Sequence, residues 1–309
     1  MTMRALQTKS DDYPSRSSDT EQWLERKDPV FWGKWTPEAP LTRTEAESFA
    51  KKGYLVLKSL FTPQEVHALQ AESARLRAPG AKLDKETLIT EPGSNDVRTI
   101  FQLEQQSALF NRLANHKRLA AIASFLLDDP VYIHQSRLNF KPGYAGKEFY
   151  WHSDFETWHA EDGMPRMRAI SASVLLSDND AMNGPLMLMP GSQDHFIACA
   201  GETPEDNHKS SLKKQEVGVP SQTSLLRLAE TFGIEYAAGD AGTVILFDCN
   251  TMHGSNGNIT PFPRSNAFFV YNAMSNRLQA PFGAKNPRPA FLANRGEPKP
   301  VTLESGPLA

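Results

Sequence analysis

Cysteine is nearly absent from this chain. Only Cys199 and Cys249 occur among its 309 residues, so no disulfide framework is implied and a reducing, cytoplasmic setting is expected. A dominant sign of charge is lacking too. The 33 basic residues are nearly matched by 36 acidic ones, for a formal net charge of −3. That balance gives no electrostatic case for a nucleic-acid partner or an anionic membrane. No apolar run approaches the roughly 18 residues that a membrane span requires. The opening stretch, MTMRALQTKSDDYPS, lacks the apolar core of a secretory signal. Internal repeats and low-complexity tracts are also missing. What is there is a chain long enough for one large domain or two small ones, with a sizeable core.

Residues 1–40 are polar, carry several prolines and include Trp23, Trp32 and Trp35. They read as an irregular arm held on the domain by its aromatics. Thr42 to Lys52 reads as a helix stopped by Gly53, followed by a short strand at Tyr54–Leu57. Thr62-Pro63-Gln64-Glu65 is a helix start: the threonine caps, proline suits the first turn, and glutamate sits three residues after the cap. That helix is expected to reach Arg77. Apolar residues at helical spacing continue from Ser107 to Leu127 and stop at Asp128-Asp129-Pro130.

After Pro130 the texture changes. Short apolar or alternating runs (Val131–Phe140, Phe149–Asp154, Arg168–Leu176, Leu186–Met189, Thr243–Phe247, Asn266–Asn272) are separated by Gly, Pro, Asn and Asp. Such spacing predicts a mainly β fold, an antiparallel sandwich or jelly roll. The helices ahead of it are expected to buttress one sheet. Residues 41–309 thus read as a single domain. The polar segment 199–235, with a short helix near Ser221–Thr231, is long enough to be a lid.

One stretch poses a chemical question. In Phe149–Pro165, FYWHSDFETWHAEDGMP, two histidines are each followed two residues later by a carboxylate: His152 with Asp154, and His159 with Glu161. Residues i and i+2 of a strand share a face. The aromatic run Phe149-Tyr150-Trp151 favours a strand, so His152 and Asp154 are expected to point together. His159 and Glu161 precede the turn signal Asp162-Gly163-Met164-Pro165 and are expected in a loop. Chance alone supplies roughly 0.4 His-x-Asp pairs in a chain of this composition, so the pair by itself is also readable as an ordinary half-buried histidine.

A mononuclear non-haem iron site needs two histidines and one carboxylate on one face, with open positions left. His253 is the best third ligand, because it follows the strand Thr243–Phe247 and precedes Gly254. Arg264, eleven residues on, leads into Asn266–Asn272, and an antiparallel return would bring it beside the metal. Arginine grips a carboxylate with a bidentate fork.

The pattern H-x-D…H…R on a jelly-roll texture resembles the iron(II)- and 2-oxoglutarate-dependent dioxygenases. Asn183-Gly184-Pro185-Leu186 and Pro190-Gly191-Ser192 look like the phytanoyl-CoA dioxygenase-like branch. That branch usually has histidine after Pro-Gly-Ser; Gln193 stands there in this chain, which argues against phytanoyl-CoA as substrate. Phe149–Asn179, with Asp12-Tyr13-Pro14-Ser15-Arg16 and Arg26-Lys27-Asp28-Pro29-Val30, resembles the ectoine hydroxylases of that branch. The likeness extends from about Asp12 to Arg277.

The resemblance implies a double-stranded β-helix (jelly-roll, cupin-like) core with buttressing helices. It implies Fe(2+) held by His152, Asp154 and His253, with 2-oxoglutarate and O2 as cosubstrates and ectoine as substrate. It gives His159 and Glu161 no metal role. Lys141, Asn139 and Ser255 join Arg264 around 2-oxoglutarate, with Phe149 as a wall. From composition alone, Lys141 before Pro142-Gly143 reads as a solvated turn lysine. Gln135, Trp158, Phe247, Asn266 and Phe268 are implied at the substrate, with Arg137 as an addition. Phenylalanines at strand positions otherwise read as core. A homodimer is also implied. The competing readings are a hydroxylase of another free amino acid or related metabolite, and a non-catalytic cupin-like metal binder.

Overall fold

The computed structural model describes residues 11–91, 96–212 and 214–308; the first ten residues of the expected arm lie outside them. In chain order the strands are β1 (Gln22–Glu25), β2 (Tyr54–Leu57), β3 (Leu88–Thr90), β4 (Val97–Phe101), β5 (Val131–Lys141), β6 (Phe149–His152) and β7 (Ala169–Leu175). They continue with β8 (Leu186–Leu188), β9 (His195–Ala198), β10 (Glu235–Ala237), β11 (Val244–Asp248), β12 (His253–Ser255) and β13 (Arg264–Ala273). A seven-stranded sheet runs β2-β11-β7-β13-β5-β4-β3 and faces a four-stranded sheet, β10-β8-β12-β6. All the ladder pairings are antiparallel, the jelly-roll arrangement.

Period-two alternation builds the layers. In β11, Val244 and Leu246 join Phe49, Leu69, Leu113 and Leu126 in the core beneath the helices. Ile245 and Phe247 point the other way, to meet Leu186, Leu188 and Phe268 between the sheets. The buttressing helices start as their caps dictate. Thr42 and Thr62 each form a capping box, with Glu45 and Glu65, and Gly53 ends the first helix at φ 75°. The expected helix Ser107–Leu127 is instead two, Ala108–Asn115 and Lys117–Leu127. His116 breaks it. Its extended backbone bridges to Glu304, and its Nδ1 accepts from the Arg118 amide, capping the second helix.

One irregularity aims the site. β13 and β5 pair Val270 with Gln135 but Tyr271 with Ile133, so His134 is an extra residue in β5, a β-bulge. Val131 and Ile133 therefore face the helices, and past the bulge Leu138 and Phe140 do so as well. Gln135, Arg137, Asn139 and Lys141 are turned together to the inner face. Across the ladder they meet Val270, Phe268, Asn266 and Arg264 respectively.

The arm is more than an aromatic strap. Trp23 donates to Ser224 and Trp35 to the Leu41 carbonyl, as expected of packed tryptophans, but β1 also pairs with β9, and Tyr13 is wholly buried. No helix among the described residues is long and apolar enough to cross a membrane.

Candidate active site

β6 runs antiparallel to β12 with His152 directly opposite His253, and their ring centroids are 4.3 Å apart. Asp154 does not continue β6, as the strand reading required. The strand ends at His152, and Asp154 opens the helical turn Asp154–Thr157. The reason lies downstream. Phe155 and Trp158 are buried in a cluster with Tyr13 and Phe196, and the Phe155 amide donates to the Cys249 carbonyl at 2.8 Å. The chain therefore leaves the sheet, and the carboxylate reaches the histidines from the start of a helix. Its oxygens lie 3.7 Å from His152 Nε2 and 3.9 Å from His253 Nε2.

The three donors are held ready for a cation. Nδ1 of His152 donates to the Tyr150 carbonyl at 2.7 Å and Nδ1 of His253 to the Thr251 carbonyl at 2.9 Å. Each Nε2 lone pair is thereby left facing Asp154, the tautomer a metal ligand needs. Burial pushes His253 down to about 4, so its imidazole is neutral. Burial alone would raise Asp154, but His253, His152 and Arg137 outweigh it and hold the carboxyl below its usual range. Ser171 donates to the same carboxylate at 3.3 Å. These ligand atoms lie within 4.8 Å of one another, the sole such group among the described residues. Two imidazoles and one carboxylate, with room left over, suit a non-haem iron(II) site.

Further along the inner face, Lys141 and Arg264 stand directly opposite each other. Both are buried, neither forms an ion pair among the described residues, and Arg264 Nε has no hydrogen-bond partner there. Lys141 donates to Ser255 Oγ at 2.8 Å and to the Asn256 carbonyl. Thr99 donates to Asn139 Oδ1 at 3.0 Å. Phe149 lies under two cations, Arg98 at 4.3 Å and Lys141 at 5.4 Å. Keeping both charged without a carboxylate partner is costly and becomes sensible beside an anionic ligand.

A cavity of about 930 Å³ opens onto this ground. Of the expected residues, His152, Asp154, Gln135, Arg137, Phe149 and Trp158 line it. His253, Phe247, Asn266, Phe268, Asn139 and Ser255 are buried but do not line it; Phe247 and Phe268 lie in the cluster between the sheets. Phe247 is 4.8 Å from the His253 ring and 6.1 Å from Phe268, and Phe268 lies 4.7 Å from the Arg137 guanidinium. Lys141 and Arg264 border a separate cavity of about 170 Å³. Asn207, Leu212 and Val217, all within segment 199–235, close one side of the larger cavity.

His159 and Glu161 are not in a loop. They lie on the single wide helical turn Trp158–Asp162 and are buried. Their bonding capacity is taken up. His159 Nδ1 donates to the Met164 carbonyl at 2.8 Å, and its Nε2 meets Asp11 Oδ1 at 3.0 Å; Glu161 accepts from Arg16 at 2.6 Å and Asn207 at 2.8 Å. Arg16 also grips Glu156 with two nitrogens. Its backbone sits at φ 55°, a strained conformation for a non-glycine residue that this buried fork offsets.

The sequence reading missed Arg16, whose only signal was its arm motif. It also missed Arg288, which lines the cavity while bound through two nitrogens to Asp162 at 2.8 and 2.6 Å. Arg288 sits in an aperiodic, proline-flanked stretch that carries no such signal.

A jelly roll with a two-histidine, one-carboxylate centre and a buried lysine–arginine pair that has no carboxylate partner among the described residues defines the class. Residues 49–266 match the family described as phytanoyl-CoA dioxygenase (PhyH), and the chain belongs to that family. Within it, the chain is 58% identical to the ectoine dioxygenase of Sphingopyxis alaskensis, over 96% of this chain and 97% of that one. The crystal structure of EctD from S. alaskensis with 2-oxoglutarate and 5-hydroxyectoine superposes with a TM-score of 0.90 at 53% identity, covering 97% of this chain and all of that one. The structure of the same enzyme with bound Fe gives 0.89.

Proposed function

We propose that this protein is an iron(II)- and 2-oxoglutarate-dependent dioxygenase that hydroxylates ectoine to 5-hydroxyectoine, releasing succinate and CO2. The observation that carries the reading is the pairing of two features on one inner face: a metal-ready triad of His152, Asp154 and His253 and the buried Lys141–Arg264 pair, which has no carboxylate partner among the described residues and leaves Arg264 Nε without a hydrogen bond there. A site for a metal alone has no use for the second. When bound, iron(II) supplies the oxygen activation, with electrons from 2-oxoglutarate, that inserts oxygen into a C–H bond.

The chain's residues do the rest. Arg264, Lys141, Asn139 and Ser255 hold the distal carboxylate of 2-oxoglutarate, and the Phe149 ring covers its carbon chain. Ectoine carries a carboxylate and a delocalised amidine cation. Gln135, Arg137 and Asn266 supply polar contacts, while Trp158, Phe247 and Phe268 supply aromatic faces for the cation. A carboxylate at Asp154 leaves no vacant ligand position for a halide, so oxygen transfer is the expected outcome.

The domain boundaries belong to the proposal as well: an arm, residues 1–40, and one catalytic domain, residues 41–309. Segment 199–235 acts as a lid, supported by its place over the cavity. Slower proteolysis of that segment with iron(II), 2-oxoglutarate and ectoine present would support it; equal rates would count against it. A cytoplasmic homodimer is proposed from the cysteine content and the family likeness; sedimentation tests the dimer.

The deciding experiment compares ectoine with proline as substrate, reading succinate and hydroxylated product. Iron-, O2- and 2-oxoglutarate-dependent formation of 5-hydroxyectoine, matched one-to-one by succinate, is expected. Preference for proline would move the enzyme to another substrate. No succinate with either would remove the dioxygenase reading.

A further inference from the structure

The Lys141–Arg264 pair raises a question of protons. Both side chains are buried and face each other across the β5–β13 ladder. Arg98, on the neighbouring strand β4, adds a third cation stacked on Phe149. The one carboxylate that pairs with any of these three among the described residues is Glu91, which takes Arg98. Two adjacent buried cations repel strongly in a low-dielectric interior. Arginine keeps its proton in proteins, whereas a buried lysine readily gives one up.

The hydrogen bonds of Lys141 agree. Among the described residues its Nζ has two acceptors, Ser255 Oγ and the Asn256 carbonyl. A neutral amine has two N–H donors and is satisfied by them. An ammonium has three, and the third would be left buried without an acceptor until an anion arrives.

We propose that Lys141 is a neutral amine in the co-substrate-free enzyme and takes up one proton when the distal carboxylate of 2-oxoglutarate binds. The proton comes from solvent and goes onto Nζ; the new N–H donates to the carboxylate, and the ligand's negative charge compensates both Lys141 and Arg264. The inference rests on the co-substrate site proposed above. The charged groups facing Lys141 are Arg264 from β13, Arg98 from β4, and Glu91 and Glu148 from the segments before β4 and β6; Asp96 and Arg77 border the small cavity beside it. Burial, then Arg264 and Arg98, push the amine down to about 6, with Glu91 and Glu148 pulling weakly the other way.

The sign follows. Above about 6 the free enzyme lacks the proton that the complex carries, so binding consumes one and weakens as pH rises, by up to about tenfold per pH unit. Below that value the proton is already present and the dependence flattens.

The test is calorimetry of 2-oxoglutarate binding to the full-length iron(II) enzyme without oxygen, in phosphate and in Tris at pH 8. The difference in apparent enthalpy gives the protons taken up. Close to one proton is expected for the wild type, falling toward zero at pH 5. Lys141→Arg stays charged and Lys141→Met has no amine, so both should bind 2-oxoglutarate with about one proton fewer than the wild type. Melting curves verify that each variant is folded. Normal binding with the same proton count in wild type and both variants overturns the proposal and leaves the co-substrate site standing. No binding of 2-oxoglutarate to the wild type overturns the site itself, and this inference with it.

Discussion

Two histidine–carboxylate pairs of the same spacing lie seven residues apart, and the fold treats them in opposite ways. His159 and Glu161 are saturated: the histidine reaches a carbonyl and Asp11, the glutamate an arginine and an asparagine. His152 and Asp154 keep bonding capacity in reserve. The hydrogen bond to the Tyr150 carbonyl orients the ring, while Nε2 and the carboxylate face each other at 3.7 Å, across a gap that a cation would close. The first pair holds the arm and segment 199–235 to the body. The second waits for a ligand. What separates a structural pair from a functional one is therefore not the motif or the burial but the unspent donors and acceptors.

The largest effects should break this contrast cleanly. His152→Ala, Asp154→Ala and His253→Ala are each expected to abolish stoichiometric iron binding and turnover, whereas His159→Ala keeps one iron per chain by mass spectrometry of metal content. The opposite pattern would reverse the assignment.

Next comes Arg264, whose Nε has no hydrogen-bond partner among the described residues. Losing a buried charged partner in a binding step typically costs about 2–5 kcal/mol, on the order of 30- to several-thousand-fold. The Michaelis constant for 2-oxoglutarate should rise by that order in Arg264→Ala and less in Arg264→Lys, which keeps the charge but loses the fork. Ectoine titrations should change little. An unaltered 2-oxoglutarate response would remove the arginine from the site.

The saturated pair should answer in stability instead. Arg16→Met strands Glu156 and Glu161, both buried, and breaking such a buried pair costs about 3–5 kcal/mol. Urea unfolding should show the loss, while the folded fraction still binds iron. A loss of iron at unchanged stability would sink the division of roles.

The smallest effect is a pH slope. Burial would raise Glu156, but Arg16 and Ser15 more than offset it and hold the carboxyl below its usual range. Its contribution to stability is therefore present above the unfolded-state value, about 4.3, and is lost as pH falls through the lower folded value. Below about pH 4 the wild type should lose stability with falling pH, and Arg16→Met should lose less. Parallel acid curves would mean that Glu156 is not the group responsible.

Much was legible along the chain because the forces concerned are local. The capping boxes at Thr42 and Thr62 depend on residues three apart, and the strand runs after Pro130 depend on alternation. The insertion helix, expected near Ser221–Thr231, forms at Gln222–Phe232. The residues of the candidate metal site were legible by type and order. The geometry that joins His152 to Asp154 was not. Asp154 meets the histidines because Phe155 and Trp158 pull the chain into a helical turn, not because a strand alternates.

By itself, then, the sequence determined the element types, the jelly-roll texture and the chemical kinds of residue at the centre, since propensity, capping and periodicity act over a few residues. Only the tertiary structure decided the rest. The extra residue at His134 turned Gln135, Arg137, Asn139 and Lys141 inward, the arm's Arg16 was buried against Glu156 and Glu161, and Lys141 was set against Arg264. A bulge's register, a buried ion pair and a lysine buried against an arginine are fixed by which distant segments share the space and the low dielectric of one interior, and no local pattern encodes that.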